Sequence, residues 1–305
     1  RAGTRPISAC TPSTSAEFTE TAQNMIRSTP LLTLLTALSV TAVAATSHAA
    51  AVPDSPEIVR SITPDGVEYA YWNPSDVRPA PTLIVLSGDI DRSLTHPSFL
   101  NAGKFLGPQG WLCVSIDLPC HGEQATADLR NLSGWAKRVA RGEDIVAEFN
   151  TRMRRVVDHL ITQGLTDPER LVASGVSRGG FMAIRYAAFD DRVDAAIGYA
   201  PVTDLAVLRE FDAIDDSPAV KAMSLHAHAE ALVGRPIFLV IGDRDTRVGT
   251  DDAMTFMRRL QRLAAEADTP SRADLYVVSE PRGHATHPEA DGWAARWVRS
   301  VLADD

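Results

Sequence analysis

The chain has 305 residues, 45 % hydrophobic and 23 % charged, the composition of a folded globular protein with room for one large α/β domain or two small ones, and this argues against general disorder. A formal net charge of −9 argues against a nucleic-acid partner, because neutralising a phosphate backbone needs clustered Lys and Arg.

In chain order, residues 1–24 lack apolar periodicity and start without Met, and they read as translated upstream sequence outside the fold. Residues 25–50 then give a secretory pattern: Met25 and Arg27, an apolar run over 31–45, and small residues around Ala49, Ala50 and Ala51. Thr33, Thr36, Ser39 and Thr41 interrupt that run, which falls short of the roughly 20 apolar residues a membrane span requires. The expectation is a cleaved signal peptide at 25–50, an exported (periplasmic or extracellular) protein without a membrane span, and a single α/β domain over 51–305. Of the three cysteines, Cys113 and Cys120 follow the leader. Extended chain advances about 3.3 Å per residue, which carries them beyond the ~7 Å a disulfide spans, so two separate thiols are expected.

Strands are expected at 58–63 and 67–72, on either side of the Asp65-Gly66 turn, and then at 82–86 and 111–116, where continuous apolar runs mark buried strands. Residues 143–163 place Ile145, Phe149, Met153, Val156, Val157 and Leu160 on one helical stripe ended by Gly164, with Arg152, Arg154 and Arg155 as a solvated face. A strand at 171–174, a helix at 180–188, strands at 194–199 and 237–241, a helix carrying Ala253, Phe256, Met257, Leu260 and Leu263, and a strand at 275–278 complete the series. This alternation predicts a mostly parallel sheet flanked by helices. Residues 202–235 are acidic and only loosely periodic, and read as an insertion over the sheet edge, serving as a mobile lid or as a plain covering helix pair.

Gly175-Val176-Ser177-Arg178-Gly179-Gly180 falls between an expected strand and an expected helix. In that setting G-x-S-x-G has a cause: a sharp strand-to-helix turn presents the Ser177 hydroxyl, and only small residues at 175 and 179 let the backbone pass. A serine hydroxyl is a poor nucleophile without a base and a group that orients the base. Asp245 in Gly242-Asp243-Arg244-Asp245 and His284 in Gly283-His284 each follow an expected strand and supply both. Asp243 reads as a turn-forming residue, and His287 lacks a preceding glycine. His121 is expected to pack in its loop, and His96, His226 and His228 to lie at the surface. The pairs His226/His228 and His284/His287 have no carboxylate or thiolate at ligand spacing, so no metal is expected. Without G-x-G-x-x-G after the first strand or a Walker loop, no nucleotide cofactor is expected.

The order serine, acid, histidine resembles the α/β-hydrolase superfamily over nearly all of 51–305. Asp117-Leu118-Pro119-Cys120-His121-Gly122 resembles the D-x-P-G-H-G loop of these enzymes. The Ser-Arg-Gly-Gly elbow, Ala200-Pro201-Val202-Thr203-Asp204 and the Asp-x-x-Val from Asp245 to Val248 are similar to esterase and dienelactone-hydrolase-like relatives of prolyl oligopeptidase, catalytic domain only. The resemblance implies an α/β-hydrolase fold and a Ser177-His284-Asp245 triad acting on a small-molecule carboxylic ester. It favours ester because no propeller is read in the sequence; a small-peptide or amide hydrolase, or a noncatalytic ligand-binding protein on the same fold, is the alternative. It also implies an oxyanion hole from the backbone N–H groups of Arg178 and Asp89, although Ser87-Gly88-Asp89 departs from the usual H-G or G-G. The Asp89 carboxylate is then expected to turn away or to pair with Arg178. Oligomeric state is left unassigned.

Overall fold

The computed structural model describes residues 56–73 and 76–303; the expected extension at 1–24 and leader at 25–50 lie outside the described residues. The strands are β1 (Val59–Ile62), β2 (Glu68–Trp72), β3 (Ala80–Leu86), β4 (Leu112–Ser115), β5 (Thr166–Val176), β6 (Val193–Tyr199), β7 (Ile237–Gly242) and β8 (Ala273–Val278). The helices are α1 (Ile90–Thr95), α2 (Pro97–Leu100), α3 (Gly103–Leu106), α4 (Asn131–Ala140), α5 (Ile145–Thr162), α6 (Arg178–Ala187), α7 (Pro218–Met223), α8 (Thr250–Glu266) and α9 (Ala290–Val301). The sheet runs β1-β2-β4-β3-β5-β6-β7-β8. β1 and β2 are antiparallel to their neighbours, and every pairing from β4 through β8 is parallel.

The parallel strands are apolar throughout because helices cover both faces. Along β3, Ile84 and Leu86 join a core with Phe149 and Val156 of α5, Phe181 of α6 and Phe256 of α8. Leu83 and Val85 point the other way, to Leu94 of α1, Leu106 of α3 and Ala294 and Val298 of α9, as the two-residue period of a strand requires. Each expected strand is present. The expected helices at 143–163 and 180–188 are α5 and α6, while α1 to α4 and α9 were not expected.

The arginine face of α5 is solvated at Arg154 and Arg155, whose side chains are 44 % and 50 % exposed, and departs from the solvated reading at Arg152. Arg155 lies 3.1 Å from Asp65 on the β1–β2 turn, and Arg154 lies over the Phe189 ring at 4.1 Å and 3.5 Å from Asp190. Arg152 donates to the Asp117 carbonyl at 3.1 Å. Long guanidinium side chains reach across a helix flank to neighbouring elements, so charge on a helix does not by itself mean solvation.

Asp117, directly after β4, is buried, and its carboxylate accepts the N–H groups of Ile90 at 2.8 Å and Glu123 at 2.7 Å. Burial pushes this carboxyl up, and those two bonds oppose the rise. Gly122 has φ +49, and a Cβ there would collide with the Asp117 carboxylate, which accounts physically for an Asp and a Gly at the ends of the 117–122 loop. Cys113 in β4 and Cys120 in this loop are free and buried, as two separate thiols, and burial pushes Cys113 up to about 12.

Residues 202–235 form helical turns around α7 and bury Leu205, Leu208, Phe211, Val220, Leu225 and Leu232 in the core. None of them lines the cavity beside Ser177. They cover the α6–α8 side of the sheet.

Candidate active site

Ser177 sits between β5 and α6 with φ 56 and ψ −118, a conformation that costs a non-glycine residue roughly 1–3 kcal/mol unless its surroundings hold it. They do. Its N–H donates to the Tyr199 carbonyl at 2.9 Å, and its carbonyl accepts from Phe181 at 3.0 Å and Val202 at 3.1 Å. A Cβ on Gly179 would collide with the Leu86 carbonyl, and one on Gly175 with the Gly179 backbone. These two glycines are therefore required by close backbone approach between β3, β5 and α6.

Asp245 lies in the turn after β7, 2 % exposed. Its Oδ1 accepts the N–H groups of Arg247 at 3.0 Å and Val248 at 3.2 Å, which leaves Oδ2 facing His284 Nδ1 at 2.8 Å. His284 follows Gly283, whose φ of 76 turns the chain after β8 back over the sheet. His284 Nε2 lies 3.0 Å from Ser177 Oγ. A carboxylate can only accept, so Nδ1 carries the proton and Nε2 offers its lone pair to the serine hydroxyl. The three side chains expected from the sequence thus form one continuous hydrogen-bonded chain.

The rival residues lie elsewhere. Asp243 Oδ1 accepts the Glu280 N–H at 2.9 Å and ties the β7 loop to the β8 loop. His287 is stacked on Trp293 at 4.9 Å and accepts the Glu289 N–H. His121 bonds the Pro119 carbonyl at 2.8 Å through Nδ1, and burial, with Arg178 nearby, pushes it down to about 4, so it is neutral. His226, expected at the surface, is instead half-buried edge-on against Phe256.

For the oxyanion hole the picture divides. Arg178 is the first residue of α6, where a helix leaves its N–H groups without intrahelical acceptors, and it lines the cavity. Asp89 does not line it. The Asp89 carboxylate caps α1 by accepting the Arg92 N–H at 2.8 Å, and no ion pair links it to Arg178 among the described residues. Of the two expected arrangements, the carboxylate turns away and does not pair with Arg178: a bond three residues away orders less chain than reaching a separate element, and an extended N-cap places the carboxylate for it.

A cavity of about 410 Å³ opens beside Ser177 and His284, with Ser87, Phe99, Val176 and Ala200 among its walls. Phe99 and its neighbour Arg92 come from the α1–α2 stretch, where no element is expected from the sequence. The cap pattern Asp89-x-x-Arg92 and Pro97 at the start of α2 were the available signals.

Residues 152–289 match the model of the prolyl oligopeptidase family, a span that holds Ser177, Asp245 and His284. A sequence search of curated proteins finds no match. Among solved structures, the chain is similar to TT1662 from Thermus thermophilus, with 19 % identity, 81 % of this chain and 98 % of that one covered, and a TM-score of 0.58. It is similar to a Mycobacterium tuberculosis puromycin-hydrolyzing peptidase, at 18 % identity over 83 % of this chain and 40 % of that one, TM-score 0.58. It is also similar to Porphyromonas gingivalis dipeptidyl peptidase 4, at 17 % identity over 81 % of this chain and 35 % of that one, TM-score 0.56. The chain thus spans well under half the length of these two peptidases. The chain thus has the α/β-hydrolase fold, and its segment 152–289 is similar to the prolyl oligopeptidase family.

Proposed function

We propose that this protein is a serine hydrolase that cleaves an amide or peptide bond. The observation that carries the reading is the unbroken chain from Ser177 Oγ through the His284 ring to Asp245 Oδ2, with links of 3.0 and 2.8 Å. His284 takes the Ser177 proton as Oγ attacks the carbonyl carbon, and the oxyanion rests against the Arg178 N–H. His284 then returns the proton to the leaving amine, and water, activated by the same ring, releases the acyl group. Asp245 holds the ring in the required tautomer and stabilises its cationic form.

The choice of amide over ester departs from the sequence expectation. It is supported by the prolyl oligopeptidase family match and by fold neighbours that are named as peptidases. An ester is the second reading, because a site that expels an amine also expels a better leaving group. Fluorophosphonate labelling on Ser177, followed by matched 4-nitroanilides and 4-nitrophenyl esters sharing one acyl group, separates the readings. Labelling with turnover of both series is expected; turnover of esters alone would leave the ester reading. Export belongs to the same proposal, resting on the leader at 25–50, and a mature N-terminus between Ala50 and Val52 in protein from the source cell is the expected mass-spectrometric result.

A further inference from the structure

The cavity beside Ser177 has an unusual charge for an acidic protein. Its lining includes Arg92, Arg178, Arg282 and His284 and not one Asp or Glu, in a chain of net charge −9. Arg282 is committed, with Nε and Nη2 donating to Glu280 at 2.7 and 2.6 Å. Arg92 and Arg178 have no carboxylate within salt-bridge distance among the described residues. Arg92 lies over the Phe99 ring, 4.5 Å from its centroid, an arrangement that holds a guanidinium flat and leaves its edge open.

Arg178 is the more unusual of the two, because its Nε is buried without a partner. Its guanidinium packs over Gly88 beside the His121 ring, within 3.5 Å of where a Cβ on residue 88 would lie. The two nearby carboxylates are both engaged. Asp89 caps α1, and Glu210 receives Arg247 on both oxygens at 2.8 Å. Burial lowers the Arg178 guanidinium, and the neighbouring cations Arg92 and Arg247 lower it further, as expected for a positive field without internal compensation. A guanidinium held in a low-dielectric wall with unused donors is matched by a planar anion that accepts two N–H bonds.

We propose that Arg92 and Arg178 form an anion subsite that receives a carboxylate carried by the substrate next to its scissile bond. This rests on the hydrolase reading of the same cavity, and it narrows the substrate class to acyl donors or leaving groups bearing a carboxylate within about one residue of the reacting carbonyl.

The test uses the full chain and two isosteric pairs. N-acetyl-Glu against N-acetyl-Gln 4-nitroanilide probes the acyl side, and an N-acyl dipeptide with a free against an amidated C-terminus probes the leaving side. One charged member is expected to exceed its neutral partner about tenfold in kcat/KM, the size of a charge-assisted hydrogen bond. Arg92→Gln and Arg178→Gln should each reduce that ratio severalfold, and added salt should erode it in the wild type. Equal rates within both pairs would overturn the proposal. So would an Arg92→Gln variant that slows charged and neutral substrates alike, since that side chain would then serve something other than recognition of the anion. A binding arm keeps the hydrolase reading separate. Calorimetry on Ser177→Ala should detect glutarate and not glutaramide, with glutarate binding lost on adding Arg92→Gln. Indifference between the two ligands overturns the subsite, whereas failure of wild-type fluorophosphonate labelling overturns only the hydrolase reading.

Discussion

Ser177→Ala is expected to lower kcat by about 10⁶-fold, the loss seen when the nucleophile of a cooperating triad is removed. Without Oγ no acyl-enzyme forms, and what remains is whatever rate the oxyanion donors and substrate positioning give to attack by water. The fold should be unchanged. The Ser177 hydroxyl makes its hydrogen bond to His284 at the cavity mouth, and the backbone bonds that hold φ at 56 involve only main-chain atoms at residue 177. Steady-state rates, fluorophosphonate labelling and thermal unfolding on the same preparation check this. A variant that keeps near-wild-type turnover, in protein free of contaminating hydrolase, removes Ser177 from the mechanism.

Asp245→Asn should cost about 10⁴-fold in kcat, and the geometry says why an isosteric change is so damaging. Two backbone N–H groups, from Arg247 and Val248, converge on the Oδ1 position. In the amide, oxygen must occupy that position, since NH₂ there would face two donors. The NH₂ group is then driven toward His284 Nδ1, which must accept, so the ring proton moves to Nε2 and the lone pair facing Ser177 is lost. Asp243→Asn lacks this trap, because the amide oxygen can keep the single bond to the Glu280 N–H, and its rate should stay within a few-fold of wild type. Kinetics of the two variants side by side decide the matter: the opposite ranking would hand the acid's role to Asp243. Harmless substitutions at both positions would leave a Ser177–His284 dyad.

Which parts of this were legible in the sequence follows from how far each feature reaches. The strands β3 to β7 were readable because burial on both faces makes each a continuous apolar run, needing no knowledge of its neighbours. Ser177 and Asp245 were readable because each lies within three residues of the end of such a run, whereas His284, six residues beyond the half-exposed β8, was readable from its Gly283-His284 step. The helices α1, α2 and α3 have only six, four and four residues, too few to display a 3.6-residue period. For α4 and α9 the signal was there, in Leu132, Trp135, Ala136 and Val139 and in Ala290, Ala294, Trp297 and Val298, but Gly134 and the interspersed charges broke up the pattern. The isolation of Arg178 could not be read at all. It depends on where Asp89 and Glu210 turn: Asp89 caps its own helix, and Glu210 is held by Arg247, which only the folded chain brings near.

The three reacting side chains hang from the carboxyl ends of β5, β7 and β8, three strands of one hydrogen-bonded ladder, whereas Arg92 and Phe99 sit on the short helical stretch that links β3 to β4. On the proposed reading, the bond-making geometry hangs from the hydrogen-bonded sheet and substrate choice from a stretch whose helices have only six and four residues. Such a division lets the two evolve at different rates. Exchanges between residues 90 and 100 would then change what enters the cavity while the ladder keeps serine, imidazole and carboxylate in register.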